Sequence, residues 1–346
     1  LLVSNVEIEG FAIGVKAGSG PYNSQTLEHV MLENQREWAV YNDGECLVMR
    51  DVRSVNSCGA VYARGNTVLI DAHLSGGAAD GAAITCAGQL FVRNLGTDGY
   101  AAAIEKHSYD RKKGLGPVEG EPVPGGRVTE WTSAPGRSAW KTSDVASLDL
   151  PAEDAPYVPL ERDHAKWICV DECGAKGGDK NDDTDAVRRA FEKAKVEGRT
   201  TVAFSQGCYI VGGEIVIDGC IERVQGVGTY VKPPRGEDLA FIVREGACPV
   251  VTFDLLDRPL GRMNVYVENA SSRTVVVRNF RGKYRGTGPG KTFLEDACTD
   301  LWITNPNNRV WVRQLNSENG TSLNNHNKGG TLWVLGLKSE RDQTLI

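Results

Sequence analysis

A repeat with a period of about 22 positions is the feature that most narrows what this chain can become. One apolar strand position recurs as Val30, Val52, Leu74 and Leu95, at spacings of 22, 22 and 21 in sequence. A second recurs as Val40, Val61, Ala83 and Ala103, at spacings of 21, 22 and 20. Two tracks sharing nearly one period mean one supersecondary unit per repeat, each stacked on its neighbours. The units hold short apolar runs such as Leu47-Val48-Met49 and Val68-Leu69-Ile70, separated by Asn42-Asp43-Gly44, Gly65-Asn66 and Gly76-Gly77. That is the texture of strands and tight turns, not of helices. The leucine-rich repeat shares the period, but its LxxLxLxxN pattern is absent. The pattern fits an all-β solenoid, a parallel β-helix whose coils stack ~4.8 Å apart. Glycine, 40 of 346 residues, exceeds the usual ~7 % and is expected at corners that need positive φ.

The repeat then breaks. Seven of the fourteen prolines lie between Pro117 and Pro159, with Gly125-Gly126 and much Ser and Thr. The expected organisation is a first β-helical lobe over residues 1–114, a Pro/Gly-rich connection over 115–166 and a second β-helical lobe over 167–346. The second lobe opens with the strand Trp167-Ile168-Cys169-Val170 and a glycine-rich turn, Gly174 to Asp179. Asp182-Asp183-Thr184-Asp185 then starts an amphipathic α-helix, expected over about 184–196, with Val187, Ala190, Phe191 and Ala194 on one face. The carboxylates suit a helix N-terminus, where free N–H groups and the dipole favour negative charge. Gly198 suits its end. The period returns late, in the matching steps from Trp311 to Trp333 and from Leu315 to Leu337. Both chain ends stop inside strand-like sequence, so the expectation is a piece of a longer protein.

Composition excludes several functions. A net charge of −6 argues against nucleic acid as the main partner, because phosphate binding wants a basic surface. No stretch approaches the ~20 apolar residues of a membrane-spanning helix, so no membrane insertion is expected. Nine cysteines show no CxxC pair and histidines number only five, so neither a metal site nor a cofactor is expected.

Cys173-Gly174-Ala175-Lys176-Gly177-Gly178-Asp179, followed by Asp182-Asp183-Thr184-Asp185-Ala186-Val187 and Ala190, resembles a signature of the pectate lyase superfamily of right-handed parallel β-helices. That pattern runs roughly F-G-A-K-G-D-G-x-x-D-D-T-x-A-I-x-x-A. Cys173 stands where Phe is usual, and Gly178-Asp179 reads as an inserted residue. In that superfamily the helix caps the open end of the solenoid. Two tandem lobes, the second opening on this motif, resemble glycoside hydrolase family 55, the exo-β-1,3-glucanases. The segments Val310 to Asn316 and Leu332 to Glu340 are similar to bacterial proteins related to glycoside hydrolase family 28. The resemblance implies two tandem right-handed lobes and a secreted or cell-envelope carbohydrate-active protein acting on a polysaccharide or oligosaccharide. A non-catalytic glycan-binding or structural scaffold and a polysaccharide lyase are the alternatives, since fold alone does not fix function.

Glycoside hydrolysis usually needs two carboxyl groups, which neighbouring coils of a β-helix can supply. Glu318 and Glu340 stand one such period apart, each at the same offset after a tryptophan of the Trp311–Trp333 pair. Stacked on adjacent coils their backbones would sit ~4.8 Å apart, close to the ~5–5.5 Å carboxyl separation of retaining enzymes. Repulsion between two such groups would keep a proton on one of them, as a general acid requires. They are the expected catalytic pair, at a groove between the lobes. Glu295 and Asp296 are the second catalytic candidates, with Glu295 level with Arg313 on the next coil. Trp131, Trp140 and Tyr157 in the connection are candidate sugar-stacking residues, because flat rings suit pyranose faces. His107, in the polar cluster Glu105 to Arg111, is a further substrate-binding candidate.

Overall fold

The computed structural model describes residues 1–18, 24–77, 79–134, 152–257, 264–317 and 325–339. The fold is a parallel β-solenoid of about 13 turns, with one α-helix among the described residues. The chain divides into two compact units, Leu1–Pro151 and Ala152–Ile346.

In the first unit, strands Leu2–Glu9, Ser24–Glu33, Cys46–Val55, Asn66–Ser75 and the start of Gln89–Asp110 pair in parallel order along one ladder. Ile13–Gly18, Trp38–Asp43, Gly59–Ala63, Ala82–Cys86 and the end of Gln89–Asp110 form a second. Alternate residues point inward, so Val30, Val52, Leu69, Leu74, Val92 and Leu95 are buried in one core. The long strands bend halfway at a left-handed residue. Asn5, His29, Asp51, Asp71 and Asn94 occupy that corner with φ between 47° and 56°. The corner expected to be glycine is therefore built by Asn, Asp and one His. Short polar side chains tolerate this conformation by bonding locally.

Glycine has another use here. A Cβ on Gly65 would stand 2.2 Å from the Glu45 carbonyl oxygen, and one on Gly88 2.0 Å from the Arg64 carbonyl oxygen. At these turns one coil lies directly on the backbone of the coil before it. Gly88→Ala is expected to lower stability by about 1–3 kcal/mol, read as a lower urea midpoint at an unchanged slope.

The register departs from strict periodicity. Asn66 pairs with Cys46, so that coil is shorter than the sequence period, and Arg53 pairs with His73. Val52 therefore stacks on Ala72 rather than on Leu74. Val61 pairs with Ile84 rather than with Ala83. Gly114–Val118, at the start of the stretch expected to be irregular, and Val123–Thr132, inside it, are strands that run antiparallel to Gln89–Asp110. Val123–Thr132 covers an edge that would otherwise present unpaired N–H and C=O groups.

The second unit repeats the plan. One parallel ladder runs from Trp167–Cys169 through Thr201–Phe204, Arg223–Lys232, Val250–Asp257, Thr274–Arg278, Lys291–Ile303 and Arg309–Ser317 to Thr331–Ser339. Trp311 pairs with Trp333 and Leu315 with Leu337, as their spacing in sequence predicts. The helix spans Thr184–Glu197 and buries Ala186, Val187, Ala190, Phe191 and Ala194 in the unit's core. Its acidic start is divided in function. Asp182 accepts from the Thr184 N–H at 2.9 Å, whereas Asp183 ties the glycine-rich turn to a strand, accepting from the Lys176 and Ile210 N–H groups. The Asn-rich turns bond to backbone: Asn308 Nδ2 donates to the Gly290 carbonyl and Asn305 Nδ2 to that of Thr287.

The outward face of this ladder carries its own apolar patch. Phe293 and Trp311 stack at 5.1 Å with rings 12° from parallel. Ala155 packs on them, and the extended segment that contains it is held by charges. Lys291 pairs with Glu153 at 2.5 Å, Arg313 donates to the Glu153 carbonyl and Arg223 to the Val158 carbonyl, each at 2.6 Å. Among the described residues no helix is long and apolar enough to cross a membrane.

Candidate functional site

The left-handed corner of the first unit borders an open cleft of about 600 Å³. Val52, Ala72, Leu95 and Val128 point into the core. Their sequence neighbours point out and form two rows across the strands. Asp51, Asp71 and Asn94 make the first row, at the corner itself. Arg53, His73, Gly96 and Arg127 make the second: Arg53 pairs with His73, His73 with Gly96, and Gly96 with Arg127 of the antiparallel strand. A Cβ on Gly96 would stand 2.8 Å from His73 Nδ1, so glycine there leaves space for the imidazole.

Each acid of the first row is oriented. Asp51 Oδ2 lies 2.6 Å from His29 Nδ1, and Arg53 Nε is 3.9 Å from its other oxygen. An ionised Asp51 only accepts, so His29 Nδ1 carries the proton of that bond. Behind it, Arg50 NH2 lies 3.3 Å from His29 Nε2, and Arg50 forms an ion pair with Glu28. Glu28 and Arg50 are both buried, which makes this pair a fixed anchor for the corner. Asp71 Oδ1 accepts from Asn94 Nδ2 at 2.8 Å, and Asn94 Oδ1 accepts from Arg127 at 3.1 Å. The Arg127 bond sets which end of the Asn94 amide faces Asp71. The result is two carboxylates on successive coils, ringed by hydrogen-bond donors and open to solvent.

Those residues singled out from sequence that the structure describes lie outside this cleft. Glu318, Glu340 and Trp140 fall outside the described residues. Glu295 sits in the second unit, in register with Arg313 as expected, and its ion pair is with Arg278 of the preceding coil at 2.6 Å. It belongs to a row of alternating charge, Asp254, Arg278, Glu295 and Arg313. Asp296 is a left-handed corner residue with φ 52°, stacked with Asn279, Gln314 and Gly336. Glu295→Gln is accordingly expected to cost ~1–2 kcal/mol of stability while changing turnover on a cleaved glycan by less than about twofold. A large loss of turnover at full stability would restore it as a catalytic candidate.

Trp131 pairs with Val92 and packs on the core of the first unit, fastening the antiparallel strand. Tyr157 is 82 % exposed, beside the Val158 carbonyl that Arg223 holds. His107 is bonded on both sides, to the Gly116 carbonyl at 3.0 Å and to Glu105 at 3.4 Å. None of the three lines the cleft.

Asp51 and Asp71 answer the search for acids one coil apart, but in a coil shorter than the period of the sequence. A step of one full period from Asp51 lands on His73 and one from Asp71 on Arg93, which hides the pair. The usable signal was the recurring Asn, Asp or His before an apolar residue: Asn5-Val6, His29-Val30, Asp51-Val52, Asp71-Ala72 and Asn94-Leu95.

In comparisons with known proteins, no family model matches the chain and no curated protein matches it.

Proposed function

We propose that this is a secreted carbohydrate-active protein, a glycoside hydrolase that seats a polysaccharide in the first unit's cleft and cleaves it with Asp51 and Asp71. The observation that carries this reading is the pair of carboxylates at one lateral position on successive coils of an open polar cleft. Strand spacing puts their backbones ~4.8 Å apart, near the ~5–5.5 Å carboxyl separation of retaining glycosidases. One carboxyl would protonate the leaving oxygen and the other attack the anomeric carbon. Arg53, His73, Asn94 and Arg127 supply the directed donors that sugar hydroxyls require. A parallel β-helix is a fold consistent with carbohydrate-active proteins.

A second reading, a glycan-binding scaffold without turnover, is favoured by one fact. Both carboxylates already accept hydrogen bonds from neighbouring side chains. A polysaccharide panel assayed for reducing ends, unsaturated products and retention separates the possibilities. New reducing ends without unsaturation support hydrolysis. Unsaturated ends indicate a lyase, and retention without products a scaffold. No product and no retention on any glycan would sink both readings of the cleft.

A further inference from the structure

We infer that Cys220 and Cys248 are an oxidation site, forming a disulfide that staples two successive coils of the second unit. Cys220 and Cys248 are free thiols in this structure. These two are brought together by the fold from distant positions in sequence. Cys248 Sγ donates to the Cys220 carbonyl oxygen at 3.1 Å and Cys220 Sγ to the Arg199 carbonyl oxygen at 3.4 Å, so the disulfide forms once the Cys220 side chain rotates about χ1 toward Cys248. Gly219 and Gly246, just before the two cysteines, are register partners, and the Ala247 N–H donates to the Gly219 carbonyl at 2.7 Å. One strand step and one residue along then place the two Cα atoms ~6 Å apart, inside the ~4.4–6.8 Å window that a disulfide needs.

The turns that carry the thiols are also clamped. Arg273 donates through Nε to the Cys248 carbonyl at 2.6 Å and through NH2 to the Ile221 carbonyl at 2.5 Å. One buried guanidinium thus grips both turns. Arg273 NH1 is buried with no hydrogen-bond partner among the described residues, so the grip is made by the two carbonyls. Both cysteines are half-buried, which leaves the sulfurs within reach of a small oxidant. Burial and nearby Glu222 push the Cys248 thiol up, so exchange is favoured at mildly alkaline pH.

The oxidant is a low-molecular-weight disulfide such as oxidised glutathione. One cysteine thiolate attacks a glutathione sulfur and displaces a glutathione thiolate, leaving a mixed disulfide. The second cysteine thiolate attacks the first protein sulfur and displaces the other glutathione. Two protein thiols are oxidised, one glutathione disulfide is reduced to two thiols, and the two protons pass to them.

The test is to incubate the full chain with oxidised glutathione at mildly alkaline pH, alkylate the remaining thiols and map the peptides by mass spectrometry. The expected result is a linked peptide pair joining Cys220 to Cys248, absent in Cys220→Ser and in Cys248→Ser. The oxidised chain should also melt roughly 5–10 °C above the same chain in dithiothreitol, a difference lost in both variants. Recovery of both residues alkylated, capped singly by glutathione, or linked to other cysteines would overturn the inference. Matching melting curves of the variants and the reduced chain verify that the serines leave the fold intact.

Discussion

Asp71→Asn and Asp51→Asn should each lower turnover on a cleaved polysaccharide by ~10²–10⁴-fold, the range for removing a positioned acid or base. Neither change alters the shape of the side chain, so the melting temperature should move little while the rate collapses. The two residues have different surroundings. Asp51 faces a histidine N–H at 2.6 Å and an arginine at 3.9 Å, whereas Asp71 is met by the neutral amide of Asn94. Asp51, held from two sides, is the better fixed of the two and is assigned the nucleophile, leaving Asp71 the acid. With backbones one strand step apart, the first product should retain the configuration of the cleaved bond. Following the product anomer by NMR in the first minutes of reaction checks this. If both variants keep full rate on a proven substrate, the cleft is not the active site. If the rate falls but the product is inverted, a water must fit between the two carboxyls and the pair is wider than the coil spacing implies.

A solenoid is easier to read from a sequence than the rows of side chains it carries, and coil length explains the difference. A parallel coil needs only apolar residues at alternate positions and turn residues between them, and both patterns survive small changes in length. Hence the solenoid, the helix from Thr184 and the Trp311–Trp333 pair were all legible. A site needs two residues on the same row, which a shift of one residue turns to the opposite face. The coils of the second unit show how far the length drifts. Arg223 pairs with Thr252, Val250 with Thr274, Lys291 with Arg309 and Arg309 with Thr331. The second of these coils is shorter than the first and the third shorter still, before the fourth returns to the period of the tryptophan pair. No single step keeps residues in register on every coil of such a scaffold. The corner residues do better, because left-handed backbone limits the choice to a few residue types. Asn5, His29, Asp51, Asp71 and Asn94 mark each coil of the first unit independently of its length. Aligning on them places Asp51 beside Asp71 at once.

Phe253→Ala is expected to be the most damaging single change to the second unit, at ~3–5 kcal/mol. Phe253 is almost fully buried and meets Phe241 edge-on at 5.9 Å, and Phe241 meets Phe191 of the helix at 6.5 Å. These three rings connect the helix to the first coils. In a stacked fold each coil touches only its neighbours, so a cavity at Phe253 weakens both the coil that holds it and the contact with the next. Small aliphatics such as Val251, Val275 and Val277 surround this part of the core and cannot extend to fill a ring-sized space. Phe253→Leu keeps much of the volume and should cost well under half as much. Denaturant unfolding followed by near-ultraviolet circular dichroism measures both variants. Equal, small losses for Ala and Leu would mean that the coils collapse onto the vacancy, and that the core of this solenoid is held by its backbone ladders rather than by the fit of its rings.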